Sequence, residues 1–214
     1  MPILYLAFFL VLLFVILQLG IFGLVLAKLG LSPDSAILLL GSTLLGSTIN
    51  LKLFTIDSAF DHIDESKLMP RFLFNAKKYT KGKTDIALNV GGALIPVLFS
   101  LYLLSLYSLN ILHVIIAIII VTLTSYKFSA PIKGFGIGMP ILVAPLTAAI
   151  SALIIDPQHS APLAYICGTL GVLIGADLFH LKDIKKMNSP IASIGGAGTF
   201  DGIFFTGILA VLLA

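Results

Sequence analysis

Asp177, in GADLFHL, and Asp201, in GGAGTFDGIFFTG, are carboxylates set inside long apolar runs. An ionised Asp at mid-membrane costs about 2.5 to 3.5 kcal/mol on insertion scales, so a residue kept there usually faces a polar cavity, a partner or a substrate. Two carboxylates a few ångström apart cannot both ionise cheaply. One keeps a proton, and such a pair can activate water with one group while the other protonates a leaving amine. Asp177 and Asp201 are therefore the candidate catalytic residues of a hydrolase. The same residue type also marks ion pathways, which gives a proton- or cation-coupled transporter as the alternative. A third reading is a non-catalytic membrane scaffold, with Asp201 bonding freed backbone amides where a helix starts and Asp177 pairing with Lys182.

Membrane-spanning helices must position these groups. Of 214 residues, 58% are hydrophobic and 11% charged, and the mean hydropathy is +1.11. No water-soluble core of that size could hide so much apolar surface. The predicted fold class is an all-α integral membrane protein of about seven transmembrane helices, near 3–28, 34–51, 87–107, 109–126, 137–155, 161–181 and 194–213. The chain, 1–214, reads as a single transmembrane domain. Its opening run is too long for the core of a signal peptide, about 7 to 15 residues, and lacks a small-residue cleavage site, so it should stay as a span.

Alternating sides along these spans puts twelve of the thirteen Lys and Arg on one face, with Lys28 alone opposite. The positive-inside rule then predicts a multi-pass cell-membrane protein with a cytoplasmic N-terminus and an external C-terminus. A net charge of +3 is thus a topology signal and makes no case for nucleic acid. Membrane lipids are the expected partners, a transmembrane peptide is the expected substrate of a hydrolase, and the sequence does not specify an oligomer.

The one sizeable insertion, about 55–85, differs in character. Acidic Asp57, Asp61, Asp64 and Glu65 precede basic Lys77, Lys78, Lys81 and Lys83, with β-prone FTI and RFLFNAKKY beside a KGK turn. It reads as a small cytoplasmic β-hairpin against the membrane or as a solvated loop whose lysines meet anionic headgroups. DHIDE, with His62, lacks metal-ligand spacing, and no metal or cofactor is expected. The single cysteine, Cys167, reads as a packing residue.

Helix rise puts Asp177 about 6 Å and Asp201 about 12 Å inside the cytoplasmic ends of their spans. The short HLKDIKKMNSP link makes those spans antiparallel neighbours able to bring the carboxylates together. Gly198, Thr199 and Gly202 flank Asp201 and are candidates to line the site, on backbone that the glycines allow to unwind. Asn50, Asn89 and Pro145 are further candidates, the two asparagines being either site residues or helix caps. GFGIGMPILVAPL predicts a kinked or partly re-entrant fifth span, and His113 and His180 are expected at opposite interfaces. Val90-Gly91-Gly92-Ala93 and Ile194-Gly195-Gly196-Ala197 echo each other, each opening a span after a basic loop.

GTLGVLIGADLFHLKDI, SPIASIGGAGTFDGIFFTGILAVLLA, DIALNVGGALIPVLFSLYLL and GIGMPILVAPL together resemble an uncharacterised family of prokaryotic multi-pass membrane proteins known as a domain of unknown function. The GGAGTFDGIF run is its most specific part. That resemblance implies one membrane domain and no particular activity. A distant likeness links the chain to the GxGD intramembrane aspartyl proteases, the class of presenilin and signal peptide peptidase. There one Asp lies on a span and a second follows a Gly-rich motif on the next, as Asp177 and Asp201 do. This chain has Ala176-Asp177 where that pattern has Tyr-Asp, Gly198-Thr-Phe-Asp201 where it has Gly-x-Gly-Asp, and Ala144-Pro145-Leu146 for Pro-Ala-Leu. A cytoplasmic hairpin able to accept an extended substrate strand by edge pairing would support that likeness.

Overall fold

The computed structural model describes residues 20–21, 23–58, 82–132, 136–186, 189–196 and 202–214. Asp201, Gly198, Thr199, most of the first expected span, the acidic DHIDE run and RFLFNAKKY lie outside them. Several helices begin where a short polar side chain or proline fits a first turn. Helix α1 (Pro33–Gly46) starts behind Ser32, whose side chain accepts the N–H of Ser35, and has Pro33 where a missing N–H costs nothing. Strand β1 (Asn50–Asp57) follows and pairs antiparallel with β2 (Lys83–Asn89), with Asn50 opposite Asn89 and Asp57 opposite Lys83. Gly82, at φ +79°, supplies the left-handed residue just before β2.

Beyond β2 the chain makes a π-helical turn (Val90–Leu94) and then α2 (Ile95–Leu106). The slip has a covalent reason: Pro96 has no N–H for the carbonyl four residues back, so the regular ladder cannot continue through it. Helix α3 (Ile111–Phe128) is capped by Asn110, whose side chain accepts the Leu112 N–H at 2.9 Å. A tight hairpin, β3 (Ala130–Ile132) with β4 (Gly136–Gly138), leads to α4 (Val143–Ile155). A 3₁₀ turn (Pro157–His159), α5 (Ser160–Val172) and a second π-helical stretch (Leu173–Leu178) form one long apolar unit. A 3₁₀ turn (Asp183–Lys186), strand β5 (Ile191–Ile194) and α6 (Gly202–Leu213) complete the described chain.

Small residues face inward and large aliphatic ones outward. On α3, Val114, Ala117, Val121, Thr122 and Ser125 are buried, while Ile111, Leu112, Ile115, Ile119 and Leu123 are exposed. On α4, Ala144, Ala148, Ala149, Ser151 and Ala152 are buried while Leu146, Ile150 and Ile154 are exposed. That polarity suits helices packed closely together and solvated by lipid. Helix α5 is the hub, almost wholly buried, and its glycines let neighbours approach. A Cβ on Gly171 would lie 2.6 Å from Val121, and one on Gly207 of α6 would lie 2.7 Å from the Thr169 hydroxyl.

Among the described residues two helical units, Ile111–Phe128 and Pro157–Leu178, are long and apolar enough to cross a membrane. Four other apolar helical runs are shorter, Pro33–Gly46, Val90–Leu106, Val143–Ile155 and Gly202–Leu213. The molecule is mostly helical with a small sheet, and of the seven expected spans two reach full spanning length among the described residues. The difference lies at the span ends. Residues 50–51, 87–89 and 194 are strand, and Gly136–Gly138 form β4, so residues 137–138 open the expected fifth span as strand. Apolar runs satisfy their backbone equally well in a buried strand, which hydropathy alone does not distinguish from helix.

The insertion expected at about 55–85 does rise from a hairpin, but its strands begin and end outside those limits, and FTI alone of its β-prone runs falls in a described strand. The sheet has a third member: β5 lies parallel to β2, Asp85 opposite Ile191 through Leu88 opposite Ile194, giving the order β1-β2-β5. Central β2 buries Thr84, Ile86, Ala87 and Asn89, whereas edge strand β1 is mostly exposed.

Candidate functional site

The π-helical end of the α5 unit carries Asp177, which is half-buried. Its regular ladder runs as far as the Phe179 N–H, which donates to Ile174 O at 3.0 Å. Gly175 presses this turn onto α3, where a Cβ would lie 2.3 Å from the Thr122 carbonyl oxygen. Asp177 Oδ2 accepts the backbone N–H of Gly195 at 2.8 Å. Gly195 and Gly196 follow β5 with φ of +82° and +85°, left-handed backbone that favours glycine. The Asp177 side chain therefore ties a helix end to the turn leaving the sheet.

The paired glycine motifs meet at this turn. A Cβ on Gly92 would be 1.9 Å from Gly195 O, and one on Gly195 would be 2.6 Å from the Cβ of Ala93. Each motif follows one of two parallel neighbouring strands, β2 and β5. Their abutment gives the sequence echo a physical basis in close backbone approach.

Asn89 and Asn50 lock the sheet to the helices. Asn89 Oδ1 accepts the Gly92 N–H at 2.7 Å, capping the first π turn, while its Nδ2 donates to Ser47 O at 2.7 Å and to Asn50 Oδ1 at 3.0 Å. The Ser193 hydroxyl donates to the same Asn50 oxygen. Of the two roles open to these asparagines, capping describes Asn89, and Asn50 bridges all three strands. Pro145 is buried in the first turn of α4, where a missing N–H is harmless. Its neighbour Ala144 belongs to a buried cluster with Val172, Ala176 and Ile203. Ala176 precedes Asp177, and Ile203 lies one residue beyond Gly202, which opens α6.

Sequence reasoning passed over Gly195 and Ser193 as site residues and set His180 at an interface. His180, just past the end of the α5 unit, is buried, with Nδ1 against the carbonyls of Gly175 and Ala176. The doubled glycine was the signal for Gly195, since consecutive glycines beside a strand often mark left-handed backbone. Cys167 is buried in α5, as its apolar surroundings suggested. Among the described residues no group of three or more His, Cys, Asp or Glu comes together that could hold a metal ion.

Fold and site define a mostly helical protein of membrane-like apolar helices, with a small mixed sheet bound to one helix end through an aspartate. The chain belongs to the family described as "Protein of unknown function (DUF1614)", whose model matches residues 44–213. Comparison with curated proteins finds no match. Comparison with solved structures finds none either.

Proposed function

We propose that this protein is an intramembrane aspartyl hydrolase that cleaves transmembrane peptides, with Asp177 and Asp201 as its acid–base pair. One carboxylate takes a proton from water and the other delivers one to the leaving amine. A single observation carries the reading: both flanks of the Asp201 segment meet the Asp177 end of the α5 unit. Gly195 does so through its bond to Asp177, and Ile203 through the cluster it shares with Ala176. In the sequence Asp201 comes six positions after Gly195, a reach of at most about 20 Å fully extended, and two before Ile203.

The outer position of β5 among the described strands adds support, since an extended peptide can add to a sheet edge close to the Asp177–Gly195 tie. Seven spans, a cytoplasmic N-terminus, an external C-terminus and a site in the cytoplasmic half of the bilayer belong to the same proposal. Coupled transport is the second reading, favoured by the two π-helical interruptions, at Val90–Leu94 and Leu173–Leu178, because such bulges concentrate at functional sites.

The test is cleavage of model transmembrane peptides in lipid by wild type, Asp177→Asn and Asp201→Asn. Each variant is expected to lose at least about a hundredfold in rate, the usual contribution of a general acid or base. Wild type that cuts nothing, or either variant cutting as fast as wild type, overturns the dyad. Ion-coupled flux in proteoliposomes that disappears with the same substitutions would install the transporter in its place.

A further inference from the structure

Asp177 follows two carbonyls, Gly175 and Ala176, that lie beyond the last regular bond of the π-helical ladder. Unpaired carbonyls at a buried helix end are costly and need a donor. The donor is the imidazole of His180, whose Nδ1 lies 3.0 Å from Ala176 O and 3.2 Å from Gly175 O. Two acceptors on one nitrogen require that nitrogen to carry the proton, which fixes the neutral ring as the Nδ1–H tautomer. The Ser129 hydroxyl, 3.4 Å from Nδ1, donates to Tyr126 O and faces the imidazole with its oxygen. The Tyr126 ring covers the imidazole at 4.9 Å between centroids and also meets Phe179 edge-on at 5.7 Å. His180 is thus held by α3 from one side while it holds the turn bearing Asp177 from the other.

From this geometry we infer that His180 is the positioning residue for Asp177. Its N–H closes the π-helical end so that the carboxylate points at the Gly195 amide. The inference rests on the hydrolase reading for its consequence in catalysis, but the positioning itself is readable without any substrate. Without the N–H, Gly175 and Ala176 must find other donors, the turn rewinds, and the carboxylate leaves Gly195. Packing alone predicts a different outcome, because a phenyl ring would cover Tyr126 as well as an imidazole does.

Those two causes separate in His180→Phe and His180→Asn. Phe keeps the ring and loses the donor, whereas Asn keeps an amide N–H close to the Nδ1 position and loses the ring. Amide hydrogen exchange at Gly195 in lipid nanodiscs reports the Asp177 bond directly, with Asp177→Ala giving the fully released value. We expect His180→Phe to exchange at Gly195 at least tenfold faster than wild type and His180→Asn to stay within about threefold. Peptide cleavage should follow the same order, falling through kcat more than KM. Unchanged Gly195 exchange in His180→Phe overturns the inference, as does exchange in folded His180→Asn as fast as in Asp177→Ala. Should wild type prove unable to cut any peptide, the hydrolase reading fails while the amide result still decides the role of His180.

Discussion

Gly195→Ala is the substitution that tests the junction most directly. Two costs add there. At φ +82° a Cβ incurs about 1 to 2 kcal/mol from left-handed backbone. That Cβ would also lie 2.6 Å from the Cβ and 2.7 Å from the N of Ala93, and overpacking of this kind costs about 1 to 3 kcal/mol. Gly82→Ala isolates the first term, since Gly82 has φ +79° and nothing within 4 Å of an added Cβ. The two variants should therefore differ by about 1 to 3 kcal/mol, or roughly 2 to 12 °C in melting temperature for a chain of this size. Circular dichroism of the detergent-solubilised proteins measures the difference. Equal melting temperatures would refute the argument that β5 and the first π turn meet backbone to backbone at this point. Because Asp177 accepts the Gly195 N–H, peptide cleavage should fall further in Gly195→Ala than in Gly82→Ala.

Asn89→Ala removes the acceptor for the Gly92 N–H and the donor to Ser47 O in a fully buried place, and should destabilise by about 1 to 3 kcal/mol in denaturant titration. A loss no larger than that of an ordinary surface substitution, about 0.5 kcal/mol, would count against its locking role. Gly175→Leu should force α3 from the π-helical turn, because its Cβ meets backbone at Thr122 O, whereas Gly41→Leu on α1 finds open space. A crosslink between cysteines placed at the α3–α5 seam should weaken in the first variant alone, and equal crosslinking in both would contradict the close approach.

Composition made the apolar helices legible, and the rarity of carboxylates in them drew attention to Asp177. The hairpin too was visible in part, through FTI and the glycine before β2, because turn chemistry is local. What stayed hidden is non-local. Ile191–Ile194 is a short stretch leading into an expected span, and only its pairing with β2 makes it a strand. The π-helical stretches depend on Pro96 in one case and on close packing at Gly175 in the other, neither of which alters periodicity enough to show. The basic loop beside His180 gave no sign of its burial, which comes from Tyr126 on α3 and Ser129 just past that helix.

The parallel pairing of β2 with β5 also imposes an order of assembly. β2 leaves the ribosome early, yet its partner follows only after four intervening helices have been made and packed. Distant pairing of this kind forms late, since the loop it closes must be ordered first. Until β5 arrives, Gly195 is not available to Asp177. The junction then acts as a completion check, in which the aspartate finds its amide only in a fully assembled molecule.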